Sequence, residues 1–121
     1  MSEKAISEKL SIKPGRKWLL VNCPDDLIDL FPLPTVQTTE KCDVLFLFIT
    51  NREEWLSYLP VLDTMVNEGG AVWIAYPKLT SKQKSNINRD LINQDARQAG
   101  WVGVAMIAIN ETWSALRIRP Q

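Results

Sequence analysis

Two apolar runs without any polar alternation constrain the fold of this chain more than any other feature. The first is the run Val-Leu-Phe-Leu-Phe-Ile that follows Asp43, and the second is Ala71-Val-Trp-Ile-Ala-Tyr76. A strand with one face in water alternates apolar and polar residues, whereas a strand covered by helices on both faces is apolar throughout. The two runs therefore predict neighbouring central strands of a largely parallel α/β sheet.

The residues on either side of the second run predict where this strand begins and ends. Gly69 and Gly70 precede it and can end a helix in a left-handed conformation at little cost. Pro77 and Lys78 follow it and are typical of a polar turn. We therefore expect a helix that stops at the two glycines, followed directly by the strand at 71–76.

Length and composition favour a single globular domain over residues 1–121. The chain is 45% hydrophobic and 23% charged, and its formal net charge is zero. The two parts of the chain differ, because residues 1–68 contain 7 basic and 11 acidic side chains whereas residues 69–121 contain 7 and 3. This basic excess is too small to predict nucleic-acid binding by the domain.

The residue types that are missing exclude several kinds of site. The sequence has no histidine and only two cysteines, Cys23 and Cys42, so a histidine-based triad, a histidine-rich metal site and a disulfide framework are excluded. The first residues are charged, and no apolar run approaches the roughly 20 residues of a membrane helix. We expect a cytoplasmic protein that binds no metal and no membrane.

The rest of the sequence predicts an alternation of short strands and helices. In addition to 43–49 and 71–76, four segments are predicted as strands: 17–22, 36–39, 101–110 and 113–119. Four helices are predicted: an N-terminal helical extension within 1–12, a short helix from Pro24, one after residue 50, and one over 86–99. We expect a three-layer α/β fold with strand order 2-1-3-4-6-5, in which the last strand is antiparallel.

The helix after residue 50 has both a start signal and an internal break. Thr50 or Asn51 can cap it, because a glutamate lies three residues after each of them, as in a capping box. Pro60 interrupts the helical pattern, so we expect a kink or a restart there. Four side chains at helical spacing are predicted to form its buried stripe: Trp55, Leu59, Leu62 and Val66.

Element order and a few motifs carry a resemblance to a known family. The lead-in Leu10-Ser-Ile-Lys-Pro-Gly15 precedes the first strand, the strand after Gly69 follows, and a hairpin closes the chain after Gly100. In this order the chain resembles class I methyltransferases, which implies a Rossmann-like sheet. That family has a glycine-rich loop for S-adenosylmethionine after the first strand, where this sequence has Asn22-Cys-Pro-Asp-Asp26. The resemblance therefore implies neither the activity nor the cofactor, and we expect no cofactor.

Four shorter motifs are shared with a second family. They are Val21-Asn22 with Pro24-Asp25-Asp26, Ala75-Tyr-Pro-Lys78, Arg89-Asp90, and the ending Thr112-Trp-Ser-Ala-Leu-Arg-Ile-Arg-Pro120. In these motifs the chain resembles a group of small bacterial proteins. The resemblance implies a truncated Rossmann-like or methyltransferase-like fold. It does not imply a reaction, because none is established for that family.

Polar residues follow three predicted parallel strands, and such residues meet at the carboxyl edge of an open α/β sheet. The candidate ligand-binding residues are Asn22, Asp25, Asp26, Thr50, Tyr76, Lys78 and Arg89. The segment from 78 to 89 contains four cations and no acid, and the helix after it turns the positive end of its dipole toward the same rim. We expect a site there for a small ligand that carries a phosphate or a carboxylate.

Two alternatives compete with this interpretation of the loops. Asp25 and Asp26 can simply favour the start of a helix, while Lys82 and Lys84 form a solvated loop. The acidic pair and Lys78 also resemble phosphoacceptor receiver domains, in which an acidic pair holds a metal ion and a lysine contacts the phosphoryl group. That chemistry requires an aspartate at the end of the middle strand, where this sequence has Ile49-Thr50-Asn51.

The last strand places Trp113, Arg117 and Arg119 on one face. Trp and Arg are frequent anchors of protein interfaces, so this face can bind a protein partner or a second copy of the chain. Equally, the aliphatic parts of these side chains can cover a helix of the same domain. The sequence leaves both interpretations open.

No complete catalytic motif is present, and this absence favours a noncatalytic function without excluding an enzyme. The favoured function is a noncatalytic binding or regulatory module that recognises a small anionic ligand or a protein partner. The alternative is an enzyme that uses carboxylate and lysine groups at the carboxyl edge of the sheet, as a degenerate methyltransferase-like protein.

Overall fold

The structure is a computed structural model that describes residues 17–25, 27, 41–78 and 87–121. Within these residues, one sheet contains five strands: β1 (Trp18–Val21), β2 (Cys42–Phe48), β3 (Val66–Pro77), β4 (Trp101–Ala108) and β5 (Trp113–Pro120). The helices are α1 (Arg52–Tyr58), α2 (Leu62–Met65) and α3 (Arg89–Gln98), and a 3-10 turn at Leu59–Val61 joins α1 to α2. No helix in these segments is long and apolar enough to cross a membrane.

The strand order in the sheet is β1-β2-β3-β5-β4. β1, β2 and β3 are parallel, and β5 is antiparallel to both of its neighbours, β3 and β4. This confirms that the runs at 43–49 and 71–76 are adjacent and that the chain closes with an antiparallel hairpin. The sheet differs from the predicted six-stranded order by the strand at 36–39, which lies outside the described residues, as do the extension at 1–12 and most of the helix from Pro24.

Both faces of the central strands are buried, which explains why their sequences show no alternation. Along β2, Leu45 and Leu47 belong to a cluster that also contains the buried side chains of the three helices. Phe46 and Phe48 point to the opposite face and belong to an aromatic cluster with Trp73 of β3. Their exposed fractions are at most 3%, so each side chain contributes about 1.5–3 kcal/mol through burial.

The predicted start and break of the second helical region are both confirmed. The side chain of Asn51 accepts the backbone N–H of Glu54 at 2.8 Å, and the Glu54 carboxylate accepts the backbone N–H of Thr50 at 2.9 Å. This reciprocal pair fixes the first turn of α1. The helix gives way to a 3-10 turn that contains Pro60 and restarts as α2. The predicted stripe is buried, although its last member, Val66, already belongs to β3.

The glycine pair lies inside a strand, and the prediction that it ends a helix was wrong. α2 ends at Met65 and β3 begins at the next residue, so Gly69 and Gly70 lie within β3, where the register against β2 shifts. Gly69 has a φ of 79°, and a Cβ atom on Gly70 would lie 2.8 Å from the carbonyl oxygen of Asp43. The glycines therefore serve an irregular strand that passes close to its neighbour.

Candidate functional site

The three parallel strands all end at one edge of the sheet, so the residues that follow them share that edge. Asn22 follows β1, Thr50 comes shortly after β2, and Lys78 follows β3. The connection between β4 and β5 reaches the same edge because β5 is antiparallel to β3. The backbone N–H of Lys78 donates to the carbonyl oxygen of Thr112 at 2.7 Å, which fixes that connection against the end of β3.

A cavity of about 240 Å³ opens beside the end of β3. We call it the carboxyl-edge cavity. Its lining comes from the end of β3, the start of α3 and the hairpin: Tyr76, Lys78, Asn88, Arg89, Asp90, Met106 and Ser114. Three of the predicted ligand-binding residues, Tyr76, Lys78 and Arg89, are thus brought together at one place.

The other predicted ligand-binding residues do not line this cavity. The side-chain amide of Asn22, a residue with a left-handed φ of 59°, donates to the hydroxyl of Tyr58 at 3.0 Å. Thr50 belongs to the cap of α1, as described above. Asp25 is exposed, and Asp26 lies outside the described residues, as do Lys82 and Lys84. The acidic pair therefore stays a prediction.

The ten-residue helix α3 is held with its amino-terminal end at the cavity. The side chain of Asn88 accepts the backbone N–H of Leu91 at 3.0 Å and so caps the helix. Further along, Arg52 of α1 donates two hydrogen bonds, of 2.9 and 3.2 Å, to the carboxylate of Asp95, which is only 5% exposed. This bidentate pair is rigid in geometry and fixes α3 relative to α1. The positive end of the helix dipole consequently faces the cavity.

A chain of hydrogen bonds runs through the wall of the cavity. The Tyr76 hydroxyl donates to Sδ of Met106 at 3.3 Å, and a side-chain hydrogen bond joins Tyr76 to Ser114. Tyr76 and Ser114 face each other across β3 and β5, and their exposed fractions are 5% and 7%. Met106 lies on the edge strand β4 and is 50% exposed.

Burial raises the pKa of Tyr76, and this is the largest influence on that group. The positive charge of Arg89 lowers this pKa, the negative charge of Asp90 adds to the rise, and the hydrogen bond with Ser114 opposes it. Because the net shift is upward, the phenol keeps its proton at neutral pH and acts as a hydrogen-bond donor.

The charges at the rim favour an anion. Lys78 and Arg89 supply positive charge, and Asp90 supplies the negative charge among the residues that line the cavity. The Arg89 Nε and an Asp90 carboxylate oxygen are 3.6 Å apart, but the Asp90 side chain is 88% exposed. An ion pair this exposed is weakened by solvent, so it does not cancel the attraction that the cavity offers to an anion.

Four residues of this site were missed by the sequence prediction: Asn88, Asp90, Met106 and Ser114. Asn88 carried a usable signal, because an asparagine directly before a helical pattern is a favourable N-cap. Ser114 and Met106 had no such signal in the sequence, because only the pairing of the hairpin strands with each other and with β3 places them next to Tyr76. The register of this pairing depends on the whole sheet and not on their neighbours in sequence.

Trp113 is not available as an exposed anchor for a partner. It is only 6% exposed, and its ring centroid lies 5.2 Å from that of Phe48 in an edge-on arrangement. This burial supports the interpretation that the Trp113 face covers the domain itself. Arg117 is half-buried and Arg119 is exposed, so partner binding through these two residues stays a prediction.

Metal binding gains no support from the described segments. Within them, no group of three or more cysteine, aspartate or glutamate side chains could hold a metal ion. The candidate site is therefore defined by its hydroxyl groups, its cations and the end of α3.

Solved structures with similar backbones identify the fold. A ribosomal protein L11 methylase from Lactobacillus delbrueckii subsp. bulgaricus matches 67% of this chain and 37% of its own, with 22% identity and a TM-score of 0.50. LepI, solved as a complex with SAM, matches 96% of this chain and 39% of its own, with 16% identity and a TM-score of 0.56. The fold is methyltransferase-like. At these identities the similarity extends to the fold alone.

The chain spans well under half the length of these two neighbours, 37% of one and 39% of the other. No family model matches the sequence, and no curated protein matches it either. The comparisons therefore establish the fold of this domain and assign no activity to it.

Proposed function

We propose that this domain is a noncatalytic binding or regulatory module that recognises a small anionic ligand in the carboxyl-edge cavity. The observation that carries the proposal is the convergence of Lys78, Arg89 and the amino-terminal end of α3 on one cavity. A helix terminus supplies oriented amide donors, and the two cations supply charge. A cytoplasmic location, as the sequence predicts, is part of the proposal.

The size of the cavity limits the ligand. Pockets that hold drug-sized molecules usually measure about 300–1,000 Å³. The carboxyl-edge cavity, at about 240 Å³, is smaller than this range. We therefore propose a ligand of few heavy atoms, with a phosphate or carboxylate group as its main recognition element.

An enzyme that uses carboxylate and lysine groups is the less supported alternative. It would need a carboxylate in a position to act as a general acid or base near Lys78. Among the described residues that line the cavity, the carboxylate is that of Asp90, whose side chain is 88% exposed. Such exposure does not provide the buried surroundings in which enzymes adjust the acidity of a catalytic group.

The experiment that tests the proposal is a calorimetric titration with inorganic phosphate. Arg89→Ala removes a cation from the cavity rim, and we expect it to weaken binding about tenfold, which corresponds to about 1.4 kcal/mol. Arg97→Ala is the matched control, because Arg97 is exposed and lies in the last turn of the same helix, away from the cavity. We expect this control to bind phosphate as the wild type does.

Two results would refute the proposed function. One is the absence of binding of phosphate to the wild type in the millimolar range. The other is an equal loss of affinity in Arg89→Ala and Arg97→Ala, because that result would indicate a general effect of net charge and not a site at the start of α3.

A further inference from the structure

The hydroxyl of Tyr76 donates its single proton to an unusually weak acceptor. The thioether sulfur of methionine is a poor hydrogen-bond acceptor compared with a carboxylate or phosphate oxygen. The residue Tyr76 as a whole is 5% exposed, so few water molecules compete with Met106 for its proton. The phenol proton is directed at Met106, and Ser114 is the other hydrogen-bond partner of Tyr76.

Met106 is well suited to give way to a stronger acceptor. Its side chain is 50% exposed, lies on the edge strand and lines the same cavity as Lys78 and Arg89. Methionine has three rotatable side-chain bonds and adapts its position at little cost. A hydrogen bond from a hydroxyl to an anionic oxygen is shorter and roughly twice as strong as one between neutral groups.

We propose that Tyr76 determines ligand specificity in the carboxyl-edge cavity by transferring its hydrogen bond from Met106 to an oxygen of the bound anion. This inference rests on the proposed function and names the class of ligand more closely. The ligand is an oxyanion that presents one oxygen to the cations at the rim and another to the phenol in the wall. Ser114, the cross-strand partner of Tyr76, holds the phenol in place through their hydrogen bond. Met106 accepts the phenol proton until the oxyanion replaces it.

Three variants separate this role from a structural one. Tyr76→Phe removes the donor, and we expect it to weaken the binding of inorganic phosphate about tenfold, as for the loss of a hydrogen bond to a charged group. Met106→Leu removes the competing acceptor, and we expect tighter binding of phosphate, because the phenol then gives up no hydrogen bond when the anion arrives. Tyr58→Phe is the matched control, because Tyr58 is at the same edge and its hydroxyl accepts from Asn22 but does not line the cavity.

A spectroscopic readout makes the test specific. The chain has two tyrosines, so ¹³Cζ labelling gives two phenol resonances, which Tyr58→Phe assigns. On titration with inorganic phosphate we expect the Tyr76 resonance to shift, because its acceptor changes from sulfur to anionic oxygen, and the Tyr58 resonance to stay in place. A purely structural role of Tyr76 would not produce this shift.

The failure of this inference is distinguishable from the failure of the proposed function. If the wild type and Tyr76→Phe bind phosphate equally while Arg89→Ala binds it weakly, the anion site stands and the role of Tyr76 is refuted. If Met106→Leu does not bind phosphate more tightly than the wild type, the displacement of Met106 by the oxyanion is refuted. If the wild type does not bind phosphate at all, both proposals fail.

Discussion

The two edges of the sheet carry cavities that differ in size and in chemistry. The carboxyl-edge cavity measures about 240 Å³, and a second cavity of about 460 Å³ lies at the opposite edge, among Lys41, the start of β3 and the segment 99–101. We call the second one the amino-edge cavity. It is the larger of the two, yet its lining mixes the cation Lys41 with the carboxylates of Asp63 and Glu68.

The origin of each cavity explains why the smaller one is the better candidate. The amino-edge cavity lies where β3 is irregular and where Gly69 and Gly70 pass close to β2, so its shape follows from backbone geometry. Asn67 lines this cavity, but its side-chain amide donates to the carboxylate of Asp43 at 3.1 Å and is thus engaged within the protein. At the carboxyl edge, polar and cationic residues from the end of β3, the start of α3 and the hairpin line one cavity. Convergent chemistry therefore identifies the site better than volume does.

The largest effect is expected from a substitution at the amino edge. A Cβ atom on Gly70 would meet Cγ2 of Val66 at 2.5 Å and the carbonyl oxygen of Asn67 at 2.9 Å, so Gly70→Ala should lower the free energy of unfolding by about 3 kcal/mol. Gly69→Ala meets no atom within 4 Å and should cost about 1 kcal/mol, because its φ of 79° is left-handed. Urea denaturation measures both.

The same pair of variants also tests whether the two edges are independent. Phosphate affinity of the folded fraction should be unchanged in both glycine variants. Equal destabilisation by the two substitutions would contradict the close approach at Gly70. A loss of phosphate affinity in Gly70→Ala would indicate that the anion binds at the amino edge and not at the carboxyl edge.

A second prediction compares one lysine at each edge. Lys78→Ala should weaken the binding of inorganic phosphate about tenfold, or about 1.4 kcal/mol, because Lys78 lines the carboxyl-edge cavity. Lys41→Ala removes the same charge from the amino-edge cavity and should leave the affinity unchanged. Calorimetry on the two variants gives the comparison directly, and the reverse outcome would exchange the roles of the two cavities.

A third prediction concerns stability at alkaline pH. Burial raises the pKa of the Cys42 thiol at the start of β2 to about 11, with a further rise from the charge of Asp43 and an opposing backbone hydrogen bond. The folded state thus keeps a proton that the unfolded chain releases near the ordinary pKa of 9.0, so stability should fall as pH rises from about 9 to about 11. Urea denaturation across this range should show a shallower fall for Cys42→Ala, and an identical slope in both proteins would contradict the burial of this thiol.

The last prediction is that the protein does not bind S-adenosylmethionine. The residues after β1 are Asn22, Cys23, Pro24 and Asp25, without the glycines that let the backbone approach this cofactor in class I methyltransferases. We expect no calorimetric binding tighter than about the millimolar level, where the binding free energy is about 4 kcal/mol. Tighter binding would instead favour the alternative function, an enzyme related to the methyltransferases.

Most of the fold could be predicted because its signals are local or depend only on burial. The apolar runs at 43–49 and 71–76 predicted central strands, since a strand buried on both faces has no reason to alternate. The cap of α1 and the break at Pro60 are also local, because each depends on a few neighbouring residues. These predictions did not require any knowledge of distant contacts.

The errors arose where a distant part of the chain decides the outcome. A glycine pair is compatible with a helix end and with an irregular strand, and the proximity of Asp43 on β2 selects the second. For Trp113 the sequence left partner binding and burial within the domain equally open, because the residues that bury it are remote in sequence. Ser114 and Met106 join Tyr76 through strand register, so only part of the candidate site was visible in the sequence.

The most direct test of the central claim is an NMR titration of the ¹⁵N-labelled protein with inorganic phosphate. The claim is that the anion site lies at the carboxyl edge, so we predict that the largest amide shifts occur at Lys78 and at the first turn of α3, from Asn88 onward. The amides of Gly70 and Trp101, which line the amino-edge cavity, should stay in place. Shifts concentrated at Gly70 and Trp101, or scattered over the whole surface, would contradict the account.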